Sequence, residues 1–269
     1  MLNLAALLLA DGGSTASQSW SFTVSVDDDT ELSAGIPVNL YDQGDVTMTV
    51  DWGDGSESTL TSDDYSALTD MEASIHTYSE AGEYTITLTS GDWSYFYFET
   101  NSSTSTGSDT GYYALYYFRK TLISIDTALP EAAGVRCRSS WTTTSASTYA
   151  GFYYMFCRCS ALTSLPEGLF DNCTAVTSFA YCFYNCSALT SIPEGLFVNN
   201  TAVTTFTSCF YNSLKFDCSI HIGSEVVTKA THFMSSSSAY DRYVYVPAGS
   251  TTVDTFNALT ISGMTVVEE

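Results

Sequence analysis

A repeat in the second half of the chain limits what it can fold into. Cys159–Phe170 reads CSALTSLPEGLF and returns further along the chain as CSALTSIPEGLF, at Cys186–Phe197. Between these copies, Thr174–Phe179 returns at the same offset as Thr201–Phe206. A unit this short cannot bury its apolar side alone, so stacked neighbours must share one core. The repeat therefore predicts a short solenoid.

Each repeat unit divides into two halves of nearly equal length. The same place in successive halves is taken by Cys159, Cys173, Cys186, Asn200 and Ser213. We expect stacked aliphatic side chains in the interior at Leu162, Leu189, Val176 and Val203. We expect phenylalanine rings to fill the back of the solenoid at Phe170, Phe183, Phe197 and Phe210. Leu122–Glu131 looks like an imperfect first unit, and Val226–Met234 like a degraded last unit.

The run Phe-x-x-Cys-Ser-x-Leu-Thr-Ser-Ile gives these repeats a resemblance to BspA-like leucine-rich-repeat proteins. Tyr243–Ser250 is similar to the closing segment of that family, which caps the open end of a stack. The compact period, from Cys159 to Cys186, departs from the family pattern, as do Asn200 and Ser213 in place of cysteine. The resemblance implies a leucine-rich-repeat-type solenoid with a C-terminal cap.

The first part of the chain predicts strands. Trp20–Val26, Val46–Val50 and Glu83–Thr89 alternate apolar and polar residues, which indicates strands with one buried face. Asp51–Ser56 and His76–Glu83 lie between them, and their Asp-Gly and Ala-Gly pairs favour tight turns.

Those two turn segments resemble the PKD domain, an immunoglobulin-like β-sandwich of surface proteins. The resemblance implies a structural role for Asp51, Trp52, Gly53, Asp54, Gly55, His76, Tyr78 and Gly82. The predicted fold class is mainly β, an immunoglobulin-like sandwich followed by the solenoid. The predicted divisions are an anchor segment at 1–18, the sandwich at 19–100, a linker at 101–111 and the capped solenoid at 112–269.

Two groups of residues invite a metal interpretation. Asp51, Asp54 and Glu57 offer the oxygen ligands that calcium prefers, but their spacing lacks the usual calcium loop, so turn formation is favoured. His76 is taken as a structural hydrogen-bonding residue. All eight cysteines lie from Cys137 onward and mostly follow the repeat, which favours buried thiols over disulfides or zinc. We expect no metal and no cofactor.

The net charge and the absence of catalytic motifs argue against several classes of function. A net charge of −22 repels phosphate backbones and anionic lipid, so nucleic acid and membrane are poor partners. The sequence contains no Gly-x-Ser-x-Gly elbow, phosphate loop or His-x-x-x-His pair, so we expect no enzyme.

Aromatic residues are the best candidates for binding. Tyr184 and Tyr211 recur at the repeat spacing, and Tyr154 precedes them. Exposed tyrosine suits protein interfaces and sugar stacking, although such residues can equally fill a core. Two further clusters are Trp93–Phe98, for which filling of a strand core is favoured, and Tyr112–Phe118.

These observations predict a non-enzymatic structural or recognition protein. One hypothesis is a bacteriophage virion component (a tail, fibre or head-decoration subunit) on the virion surface, in a homo-oligomeric assembly with other subunits. The alternative is a secreted bacterial BspA-like adhesin, extracellular or on the cell surface, that binds a host protein or glycan. Under the first hypothesis Met1–Ala10 is an ordered anchor that docks on a neighbouring subunit, and under the second it is an export signal.

Overall fold

The structure is a computed structural model that describes residues 18–40, 45–65, 72–90, 93, 97–101, 113–130, 134–138, 147–149, 151–235 and 239–269. The expected anchor and linker lie outside these residues, apart from Gln18 and Asn101. The elements are β1 (Gln18–Val26), β2 (Ser33–Gly35), β3 (Met48–Asp51), β4 (Glu57–Leu60), β5 (Ile75–Thr77), β6 (Gly82–Ser90), β7 (Tyr97–Asn101), α1 (Tyr113–Thr121), β8 (Leu122–Ile125), β9 (Gly134–Arg138), β10 (Ser147–Tyr149), β11 (Cys218–His221), β12 (Arg242–Val246), α2 (Thr251–Asn257) and β13 (Met264–Glu268). Short 3-10 helices occupy Asp28–Thr30, Ser62–Asp64 and Glu72–Ser74.

The first module is built on a five-stranded sheet of order β4-β3-β6-β1-β8 and a two-stranded sheet of β2 and β5. β1 pairs antiparallel with β6 along its whole length, from Gln18 opposite Ser90 to Val26 opposite Gly82. Trp20, Phe22 and Val24 on alternate positions of β1 are fully buried. The period-two pattern therefore sets the register, because a slip of one residue would turn these side chains to solvent.

Helix α1 packs against the sandwich at β2, where a glycine makes the close approach possible. A Cβ atom on Gly35 would lie 2.1 Å from the carbonyl oxygen of Ala114. Tyr117 donates from its hydroxyl to Glu31 Oε2 at 2.9 Å. The residues that directly follow the expected linker thus contact the sandwich rather than belonging to the repeats alone.

Strand β8 joins the two parts of the molecule. It pairs antiparallel with β1, with Phe22 opposite Ile125. On its other side the carbonyl oxygen of Ile123 accepts from the N–H of Thr163 at 3.0 Å, and Ser124 forms a parallel bridge to Ser164. One continuous core of buried side chains accordingly runs through both parts.

The repeats stack in parallel. Four equivalent segments, which we call rungs one to four, lie side by side at 152–158, 179–185, 206–212 and 230–234. In each of the first three, alternate N–H groups donate to carbonyls of the next rung at N···O distances of 2.7–3.2 Å. The donors are Phe152, Tyr154, Phe156, Arg158, Phe179, Tyr181, Phe183, Asn185, Phe206, Ser208 and Phe210. Other N–H groups donate within their own rung, three positions back. They belong to Met155, Cys157, Cys182, Tyr184, Cys209 and Tyr211.

This pattern makes the rungs a series of tight turns. The same place in all four rungs has a left-handed backbone, with φ between 53° and 60° at Tyr154, Tyr181, Ser208 and His232. A second left-handed residue follows four positions later in the first three rungs, at Arg158, Asn185 and Asn212. Around the described rungs, strand geometry is limited to isolated bridges, such as Ser178 to Thr205.

Phenylalanine rings fill the interior as columns. Phe183 and Phe210 stack at a centroid distance of 5.2 Å and 6° between planes, and Phe170 and Phe197 at 5.9 Å and 8°. These rings, like the expected ladder residues Leu162 and Val203, are buried. The parallel sheet β11-β12-β13 and α2 cover part of the far end, and Phe256 of α2 packs against Phe206. The architecture is mainly β, as predicted.

Candidate binding surface and the first-module motif

A stripe of tyrosines runs across one side of the rungs. Tyr154 stacks on Tyr181 at 4.5 Å and 6°, and Tyr184 stacks on Tyr211 at 5.4 Å and 11°. Tyr181 and Tyr184 join the two pairs at 5.9 Å. Because each ring stands on a hydrogen-bonded rung, the spacing of the rungs sets the spacing of the rings. We call these four residues, together with Tyr153, the tyrosine stripe.

The tyrosines of the stripe differ in solvent exposure. Tyr154, a predicted binding residue, is only 6% exposed, so its ring is a packing element and not a free contact surface. Burial raises the pKa of Tyr154 far above its ordinary value, because the phenolate would lose water. Tyr184 is half-buried and Tyr211 is 38% exposed. Tyr153 and Tyr181 are half-buried like Tyr184, so Tyr211 in rung three is the one exposed ring of the stripe.

Sequence reasoning missed Tyr153, Tyr181 and His232. Tyr153 meets Tyr154 edge-on at 4.6 Å, and His232 meets Tyr211 at 6.2 Å. The offset of Tyr181 from Tyr154 by one full repeat period was a readable signal. His232 was harder to find, because rung four follows rung three at a shorter spacing than the repeat period.

The other aromatic clusters mostly fill the core. Trp93 is 3% exposed and Phe98 is fully buried. In α1, Tyr117 and Phe118 are buried, whereas Tyr116 is 36% exposed. These clusters add little accessible surface among the residues described.

The turn residues predicted for the first module lie together. Asp51 Oδ1 accepts from the N–H of Gly53 at 2.9 Å, and Asp54 Oδ1 accepts from the N–H of Ser56 at 2.9 Å. Gly53 has φ of 82°, and a Cβ atom there would lie 2.5 Å from the carbonyl oxygen of Thr85. Gly55 also has a positive φ, of 89°. Both carboxylates thus hold the turn, and both glycines are required by its backbone.

An aromatic layer supports this turn. The ring of His76 stacks on Trp52 at 4.9 Å and 15°, and its Nε2 lies 2.8 Å from Asp54 Oδ2. Tyr78 donates from its hydroxyl to the carbonyl oxygen of Trp52 at 3.0 Å, and Gly82 begins β6. Hydrogen bonds from the Ser56 hydroxyl and from His76 lower the pKa of Asp54 to about 2. Asp54, Trp52, His76 and Tyr78 thus form one contact network.

Seven cysteines can be placed, and all are free thiols. Six are buried, at 157, 159, 173, 182, 186 and 209, and Cys218 is half-buried. Burial raises the pKa of Cys182, Cys186 and Cys209 well above the ordinary thiol value. Such thiols are poor nucleophiles and poor metal ligands, since both roles need the thiolate. The part of the chain that the structure describes holds no group of three or more His, Cys, Asp or Glu side chains able to bind a metal.

With this geometry in place, the first module can be compared with known families. Residues 21–92 match the PKD domain. The match begins in β1 and extends just past β6, and it includes the whole Asp51–Tyr78 turn unit. Comparisons of the chain with curated proteins and with solved structures give no significant match. No helix within the described residues is long and apolar enough to cross a membrane.

Proposed function

We propose that the protein is a non-enzymatic surface component in which the distal part of the tyrosine stripe contacts a partner. The stacked pair Tyr184 and Tyr211 carries this proposal. Tyr211 is among the few large hydrophobic side chains of the described residues that remain exposed. A ring held rigidly by its neighbours loses little conformational freedom on binding, which favours its use in recognition.

The PKD domain serves in this proposal as a spacer or docking platform. Its Asp51, Asp54 and His76 are engaged in holding their own turn, which leaves them little capacity for another task. We propose in addition that the repeats are a short leucine-rich-repeat solenoid of the BspA-like kind. The parallel stacking and the shared phenylalanine columns support that assignment.

The setting we favour is a bacteriophage virion, as a tail, fibre or head-decoration subunit. Six buried free thiols suit a chain that folds in a reducing cytosol before assembly. The net charge of −22 suits dense display, because like-charged neighbours stay soluble. A secreted adhesin is the alternative, since PKD domains are general modules of surface proteins. N-terminal sequencing of the native protein separates the two, because cleavage after Ala10 would contradict the virion proposal.

The contact surface is tested with the double variant Tyr184→Ala/Tyr211→Ala. Binding to intact host cells should fall at least roughly tenfold, as expected for two aromatic contact residues. The matched control is Tyr243→Ala, since Tyr243 is 40% exposed but lies on β12 away from the stripe. Both variants should melt within a few degrees of the parent. Unchanged binding by the double variant, with the fold intact, would contradict the proposal.

A further inference from the structure

A groove of about 960 Å³ lies at the distal end of the stack, beyond rung four. One wall includes Tyr211, His232 and Met234, and the other includes Ala258, Leu259 and Ile261. The second wall is formed by the end of α2 and the segment that follows it. The groove thus occupies the position that a fifth rung would take.

The backbone of rung four has unused donors on this side. Its carbonyls at Lys229, Thr231 and Phe233 accept from rung three, so they point back along the stack. The N–H groups of Ala230, His232 and Met234 are the equivalents of the three donors in rung three and must point forward. Among the described residues, none of these three N–H groups finds an acceptor.

All three residues also line the groove. Ala230 and Met234 are each only 2% exposed. His232 is exposed. A backbone N–H group without a protein acceptor gains free energy when a carbonyl oxygen enters the groove and pairs with it.

We propose that this groove binds an extended polypeptide segment, which adds a rung to the stack. The partner's backbone would place alternate carbonyl oxygens against the N–H groups of Ala230, His232 and Met234. The molecule itself shows that this row fits a polypeptide, because equivalent rows face a backbone at the three preceding junctions. Addition of a strand to an open edge is a recurrent way to recognise peptides.

The side chains of the groove indicate an uncharged segment with alternate apolar residues. Leu259 and Ile261 offer apolar contact, and the ring of Tyr211 borders the same space. Lys229 and Asp254 both line the groove and carry opposite charges. An acidic segment would in addition be repelled by the protein's net charge of −22.

A suitable probe is a synthetic peptide with the sequence of residues 204–212 carrying Cys209→Ser, because the parent segment already lies against the N–H row of rung two. Hydrogen exchange of assigned amides is followed by NMR. In the free protein the amides at 230, 232 and 234 should exchange faster than those at 179, 181 and 183. Saturating peptide should slow their exchange at least about tenfold.

The variant Ala258→Trp fills the groove and should weaken peptide binding at least about tenfold. Asn257→Trp is its control, since Asn257 is an exposed neighbour that does not line the groove. Equal slow exchange at all six amides in the free protein would overturn the proposal. So would the absence of binding at about 1 mM peptide, or protection of the same amides by chitohexaose and not by the peptide.

This inference shares Tyr211 with the proposed function, and the two are separated at Tyr184. Tyr184 does not line the groove, so Tyr184→Ala should leave peptide binding unchanged even where it reduces binding to cells.

Discussion

Asn200 donates from Nδ2 to the carbonyl oxygen of Phe170, in the preceding repeat, at 3.0 Å. The thiol of Cys186 makes the equivalent bond to Phe156 at 3.0 Å, and the hydroxyl of Ser213 makes it to Phe183. Three different side chains thus donate the same hydrogen bond from equivalent positions of successive half-repeats. The position requires a small buried donor, which explains why cysteine, asparagine and serine replace one another there.

Asn200→Ala should destabilise the fold by about 2–3 kcal/mol, because the carbonyls of Phe170 and Cys173 both lose a buried donor. Asn200→Cys, which places there the residue found in three of the other half-repeats, should cost less than about half as much. Urea unfolding measures both. Asn199→Ala on the exposed neighbour is the control and should be within about 0.5 kcal/mol of the parent. Equal losses for alanine and cysteine at position 200 would contradict the donor role.

Asp54 should make the first module sensitive to acid. Its folded pKa of about 2 lies below the ordinary value of 3.8, so its ionised form is favoured by folding. The resulting stability is complete above about pH 4 and is lost as the pH falls towards 2. Thermal melting between pH 2 and 6 should therefore show a shallower acid dependence in Asp54→Asn than in the parent. Glu225→Gln, at an exposed site on the repeats, should keep the parent's slope.

Arg242 should be a major source of stability at the distal cap. It is 1% exposed, and its guanidinium donates to the carbonyl oxygens of Ser235 and Ser262, each at 2.8 Å. Arg242→Met should cost about 3 kcal/mol or more, because buried carbonyls lose charged donors. Arg242→Lys should recover only part of this loss, since an ammonium cannot reproduce the planar fork. Lys215→Met, an exposed change of the same kind, should have little effect on urea unfolding.

The buried thiols should resist alkylation in the native state. With Cys137→Ser as the background, iodoacetamide at pH 8 should modify the native chain slowly and the urea-unfolded chain completely. Cys218 should react first as the pH is raised, because it is half-buried and burial raises its pKa only to about 11. Peptide mass spectrometry locates each adduct. Rapid native labelling at Cys182 or Cys209 would show that the rungs open readily.

The repeat and the strand periodicity were enough to predict much of the fold. The repeat spacing anticipates which residues lie side by side, as with Thr163 and Thr190, whose side chain and backbone meet at the same offset. The turn geometry of the rungs was not predictable, because Tyr154 and Tyr181 adopt a left-handed backbone that tyrosine rarely favours. The N–H groups of both residues donate to the next rung, and these hydrogen bonds help to stabilise that conformation.

The candidate site was predicted in part. Recurrence identified Tyr184 and Tyr211, but periodicity does not reveal which ring a neighbour covers, so the burial of Tyr154 could not be foreseen. The docking of α1 on β2 depends on contact between Gly35 and Ala114, which are distant in sequence. The groove beyond rung four could not be predicted either, because its walls come from rung four and from the end of α2, which are brought together only by folding.

Strand β8 has a mechanical consequence. β8 is hydrogen-bonded to β1 on one side and to Thr163 on the other. A pulling force on the distal repeats is therefore transmitted to the sandwich through backbone hydrogen bonds and not through a flexible linker. A load would pass through the pairs between β8 and β1 and through the bonds of Ile123 and Ser124 to the repeats. A protein that holds a particle or a cell to a surface in flow would gain from such stiffness at its midpoint.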